Sequence, residues 1–178
     1  HSKKIENEVI RVGTQAYKNS LGDSKDAKLD QAKAETDLAE EAALSAKKNA
    51  LMVKTIMHKK TGIYPSREML KKEKHLLAHK LTHIIWEVNA RDIDFEEIPL
   101  TYVVVWAIVL AEQTKMWKEI ADKLPKNQLL QATAIADLLR ERSELAASEA
   151  WNTMIELEKE VDIYHQHQLF LHHLLLNS

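Results

Sequence analysis

The chain has 178 residues, 45 % apolar and 29 % charged, with a formal charge of −2: room for one domain, and too apolar for disorder. It contains no cysteine, which excludes disulfides, thiolate catalysis and cysteine-held metals. Only three glycines and three prolines are present, so long helices are expected, in an all-α bundle of about five helices within a single domain spanning residues 1–178. The most apolar stretch, Leu100 to Ala111, is shorter than the roughly 20 residues that span a bilayer, so no membrane span is expected. The absence of cysteine fits a cytoplasmic location. The chain opens on HSKK, with neither an initiator methionine nor a secretory signal, as a fragment of a longer protein would.

The first helix is expected from about Lys3 to Asn19, with Ile5, Val9, Ile10, Ala16 and Tyr17 on one side. Gly22 then offers a left-handed turn, and Asp23 or Ser24 a cap for the next helix.

The second helix, residues 24–61, carries the clearest pattern. Leu29, Thr36, Ala43, Ala50 and Met57 recur every seven residues, with Ala32, Ala39, Ala46 and Val53 three positions after the first four. That is a sustained heptad, the mark of a coiled-coil-like seam. Its alanines let a partner helix come close. One arm of an intramolecular antiparallel hairpin is favoured over a homodimer seam, because alanine buries little area. Gly62 ends this helix, and Lys59 and Lys60 complement its negative end.

Ser66 caps a third helix reaching about Asn89. Leu70, Leu77, Leu81, Ile84 and Val88 centre on one face, and His75, His79, His83 and Trp86 on the other. Histidines four residues apart are able to ligate zinc or nickel. The glutamate of H-E-x-x-H and the E-x-x-H pairs of helical metal sites are missing, however. Lys72 and Lys80 on or near the histidine face repel a cation. A polar or pH-sensitive surface is the better reading, with no metal or cofactor expected.

RDIDFEEIP follows as an acidic loop, with Pro99 starting a fourth helix. That helix is apolar on all sides for three turns, as in the middle of a bundle, with Val103, Val104, Val105 and Trp106 in the core. Pro125 breaks the chain again. The last helix, residues 127–176, places Leu139, Ala146, Ala150, Met154, Leu157, Val161, Tyr164, Leu171 and Leu175 on one face. It is about 73 Å long if straight, so it and residues 24–61 are able to project together as a hairpin. Its end, LFLHHLLLNS, is too apolar to be left in water.

Charge is segregated. From Lys47 to Lys80 there are ten basic residues against two acidic ones, a net +8, while the rest of the chain carries −10. This corner includes Lys59, Lys60, Arg67, Lys71, Lys72 and Lys74. It either complements the acidic loop from Asp92 to Glu97, meets an acidic protein, or binds nucleic acid. The scarcity of arginine and aromatic residues places nucleic acid last. No phosphate-cradling loop or nucleophile elbow is present, and Glu141, Glu144 and Glu149 lie among arginines at ion-pairing spacing. No motif assigns the chain to a family.

The expected function is therefore non-catalytic: an adaptor or assembly subunit that presents helical surfaces to another protein, in a hetero-complex or a homodimer. Its contact surfaces are the apolar end (Leu169, Phe170, Leu174, Leu175 and Leu176) and the basic corner. The alternatives are a nucleic-acid-associated regulator acting through residues 47–80, and a histidine-based metal-binding protein.

Overall fold

The computed structural model describes residues 2–80, 95 and 98–177, with side chains described for residues 24–77, 95 and 98–177. The described residues form four α-helices: α1 (Ser2–Thr61), α2 (Arg67–Lys80), α3 (Leu100–Ala121) and α4 (Leu129–Asn177). A 3-10 turn, Lys126–Gln128, leads into α4. No strand occurs among the described residues. Among the described residues the fold is all-α, and one of the expected helix boundaries is missing. The two helices expected on either side of Gly22 are a single 60-residue helix. One glycine costs a helix only about 1 kcal/mol relative to alanine, less than the surrounding helix formers supply.

The other boundaries follow local chemistry. α1 stops where Gly62 turns left-handed at φ +79° and donates its N–H to the His58 carbonyl at 2.7 Å. A glycine past a helix end takes this conformation without a Cβ penalty. Ser66 Oγ accepts the Met69 N–H at 3.2 Å and caps α2. The Pro99 carbonyl accepts the Tyr102 and Val103 N–H groups at 3.0 and 3.1 Å, opening α3. Residues 81–89, expected from the sequence to belong to the third helix, and most of the expected acidic loop lie outside the described residues.

The chain divides into two compact units. The larger, Glu35–Thr153, is built on small residues. Ala39, Ala42, Ala43 and Ala46 of α1 share a buried cluster with Ala146, Ala147 and Ala150 of α4. Leu70 and Leu77 of α2, Phe95, and Val103, Val104, Ala107 and Leu110 of α3 complete it. With methyl groups on both sides, the backbones come close enough for short hydroxyls to bridge them. Ser143 Oγ donates to the Ala107 carbonyl at 2.9 Å, and Thr36 Oγ1 to the Ala150 carbonyl at 3.5 Å. Both hydroxyls are buried, and each finds the acceptor that burial demands. A neighbouring cluster joins Ala50, Val53 and Met57 to Ala121, Leu129 and Ala136. Thr36 lies by Ala150 and Met57 by Thr133, so α1 and α4 run antiparallel here.

α3 is not enclosed on every side. Val103 and Val104 are buried, but Val105 is 49 % exposed and Tyr102 63 %, and Trp106 is half-buried. The face holding Val103, Ala107, Leu110 and Ala111 is enough to anchor the helix, and its apolar remainder stays at the surface.

The smaller unit comprises His1–Ala34 and Met154–Ser178. Leu29, Ala32, Met154 and Val161 are buried. Lys33 pairs with Glu158 at 3.2 Å, and Asp26 meets His165 Nε2 at 2.8 Å, again an antiparallel order. Lys25 lies over the Tyr164 ring, 4.8 Å from its centroid. Every heptad position of α1 from Leu29 to Met57 is buried across the two units. No helix among the described residues is long and apolar enough to cross a membrane.

Candidate functional site

The basic corner separates into cations spent on holding the larger unit together and cations left at its surface. Lys60 Nζ donates to the carbonyls of Ala121 and Leu124, both at 3.4 Å, and to that of Asp122. It neutralises the C-terminal end of α3, whose carbonyls lack helical partners. The sequence assigns this role to the end of its own helix, but the α3 terminus is the one it reaches. Lys74 Nζ reaches Asp137 at 2.6 Å and Glu141 at 2.9 Å. Lys59, Arg67, Lys71 and Lys72 are exposed. Arg67 and Lys71 line a pocket of about 530 Å³ together with Lys54, Lys74, Asp137 and Arg140.

Asp137 forms the base of this pocket, its side chain only 8 % exposed. Burial alone would raise its carboxyl, because desolvation disfavours the charged form. The hydrogen bond and charge of Lys74, with those of Arg140, outweigh burial and hold the carboxyl below its ordinary 3.8. Arg140 donates from Nε at 3.1 Å and from Nη2 at 3.0 Å to the same Asp137 oxygen. Its Nη1 reaches Glu144 at 2.7 Å. Burial would lower the guanidinium, but Asp137 and its acidic neighbours raise it. Lys54 stands at the edge, 4.0 Å from Asp137.

This arrangement can attract anions through Arg67 and Lys71. The shifts of Asp137 and Arg140 both favour their charged forms, the state that ion pairing requires. Sequence reasoning names Lys74 but misses Asp137 and Arg140. The signal was an aspartate set among apolar residues in AIADLL: a carboxylate there needs a partner from another helix.

The apolar end of α4 lies in the smaller unit. Leu169, Phe170, Leu174, Leu175 and Leu176 are 69, 58, 49, 76 and 71 % exposed. The face shared by Leu139, Ala146, Ala150, Met154 and Val161 is buried that far, but Leu171 on the same face is already 39 % exposed. The basic corner belongs to the larger unit and the apolar end to the smaller.

The histidine side chains at positions 79 and 83, and Trp86, lie outside the described residues; His75 is exposed on α2. Among the described residues no three His, Asp or Glu side chains group as a metal site does. No protein-family model, no curated protein and no solved structure matches the chain.

Proposed function

We propose that this chain is a non-catalytic interaction subunit, cytoplasmic in keeping with its lack of cysteine, which presents helix surfaces to another protein. The observation that carries this reading is the exposed run from Leu169 to Leu176. Contiguous apolar surface of this kind marks a contact site. The alanine seam supports the same reading from the other side: its heptad positions are buried, so the seam itself is not offered as a contact surface. Light scattering of the full chain and of a chain ending at Gln168, each with a fluorescent probe of exposed apolar surface, tests it. The full chain should self-associate or bind more dye than the truncated chain. Two chains that are equally monomeric and equally dark would refute it.

The nucleic-acid alternative draws on the exposed Arg67, Lys71 and Lys72, but Lys60 and Lys74 are occupied by internal acceptors. A phosphate platform would have to act with the remaining cations, and its affinity would fall steeply between about 50 and 200 mM salt.

A further inference from the structure

Besides the apolar end of α4, the larger unit carries a second hollow surface along the side of the α1–α4 pair. Three adjoining depressions make it up. The first lies between Leu44, Lys47, Ala147, Ser148 and Trp151. The second shares Lys47 with it and continues past Ala50 and Leu51 to Lys54. The third shares Lys54, Asp137 and Arg140 with the second and opens between Arg67 and Lys71. Together they form one groove, with Glu40 and Trp151 at one end, and Lys54 and Asp137 at the other. Each helix contributes about 14 residues, or about 21 Å, to its walls.

The alanine seam explains why the groove exists. Ala43, Ala50 and Ala147 line it, and methyl groups leave a trough where longer side chains would fill the space. Along its rim stand Leu44 at 67 %, Leu51 at 61 % and Trp151 at 45 % exposure. Leu44 and Leu51 are seven residues apart, the spacing at which one helix presents two knobs to another.

The two ends differ in charge. At the Lys54 end, Lys74 and Arg140 already neutralise Asp137 and Glu141. That leaves Lys54, 4.0 Å from Asp137, with Arg67 and Lys71, which form no ion pair with a described residue. At the other end Glu40 and Glu144 flank a single lysine, Lys47. An occupant must be apolar along its length and acidic at one end only.

We infer that the α1–α4 groove docks an amphipathic helix of a partner protein, about four turns long, with its apolar face on Leu44, Leu51 and Trp151 and acidic residues over Lys54, Arg67 and Lys71. This rests on the interaction-subunit reading and names the partner chemistry for a second surface. The mode is helix-in-groove recognition, with anchors at i, i+3 or i+4, and i+7.

The test is selection from a displayed library of helical peptides against the full chain, followed by polarisation binding of the enriched peptides. Enriched sequences should carry large apolar residues at those spacings and Asp or Glu clustered at one end. Their affinity should fall more than about tenfold in L44E/L51E, and about tenfold in R67E/K71E. The chain ending at Gln168 should bind them unchanged. Because the protein has no cysteine, S148C gives a single labelling site in the groove. Bound peptide should shield it from thiol reagents, a readout independent of the charge-reversed variants. No enrichment, equal binding by L44E/L51E, or an unshielded thiol overturns the inference. Loss of binding on truncation at Gln168 also overturns it, but leaves the interaction-subunit reading standing. A wild-type dimer that L44E/L51E makes monomeric assigns the groove to a second copy of the chain and overturns it. So does displacement of the peptide by duplex DNA.

Discussion

Lys74 on α2 and Asp137 on α4 meet at 2.6 Å although 63 residues separate them in the chain. This contact ties α2 to α4 and shapes the basic pocket. Removing one member of a buried, hydrogen-bonded charge pair strands the other, at about 3–5 kcal/mol where nothing replaces it. Lys74→Met leaves Asp137 with Arg140, so a smaller loss of about 1–2 kcal/mol is expected. Asp137→Ala removes the buried acceptor shared by Lys74 and Arg140, which keep only the more exposed Glu141 and Glu144, and about 2–4 kcal/mol is expected. Urea unfolding of the two variants checks the order.

The same carboxylate sets a pH dependence. Its pKa in the folded chain is depressed below the ordinary 3.8, so the unfolded chain binds its proton first as the pH falls. The stabilisation is complete above the ordinary value and disappears as the pH drops through the folded one. The urea-midpoint gap between wild type and Asp137→Asn should be constant from neutral pH to about 5 and close below about 4. A gap that widened on acidification would reverse the assigned sign. Arg140, shifted upward, adds no pH dependence in this range.

The alanine seam should tolerate little extra volume. Ala46 is wholly buried against the α3 and α4 side chains of the core. Ala46→Leu should cost about 1–3 kcal/mol by overpacking. Leu44→Glu, two positions away and 67 % exposed, should stay within about 0.5 kcal/mol of wild type. Thermal melts of the pair separate seam from rim.

Gly62 tests backbone conformation apart from space. A Cβ built at Gly62 would meet nothing within 4 Å, yet the residue sits at φ +79°. Gly62→Ala should therefore destabilise by about 1 kcal/mol through conformation alone. Gly62→Asn, which tolerates the left-handed region better, should lose less. Urea midpoints of the two variants decide.

The heptad from Leu29 to Met57 was legible because small apolar residues seven apart have only one use in a helix. Ser66, Gly62 and Pro99 were legible because capping and turn chemistry is local. Gly22 misled, since a single glycine reads as a break but costs less than a long helix gains. Val105 misled because an all-round apolar helix looks enclosed, and which of its faces stays uncovered depends on neighbours remote in sequence. The corner lysines were grouped by charge alone. Their division into Lys60 and Lys74, which are internally bound, and Arg67 and Lys71, which are not, depends on α3 and α4 contacts more than 60 residues away. The groove was illegible for the same reason: its two walls come from segments far apart in the chain.

The central claim is that this protein acts by docking other polypeptides on its helix surfaces. Photo-crosslinking of the full chain in the cell that makes it tests this most directly, with benzoylphenylalanine at Phe170, at Leu44 and, for comparison, at the exposed Lys28. Discrete adducts with a second polypeptide are predicted at Phe170 and Leu44 but not at Lys28. The same diffuse background at all three positions would contradict the account.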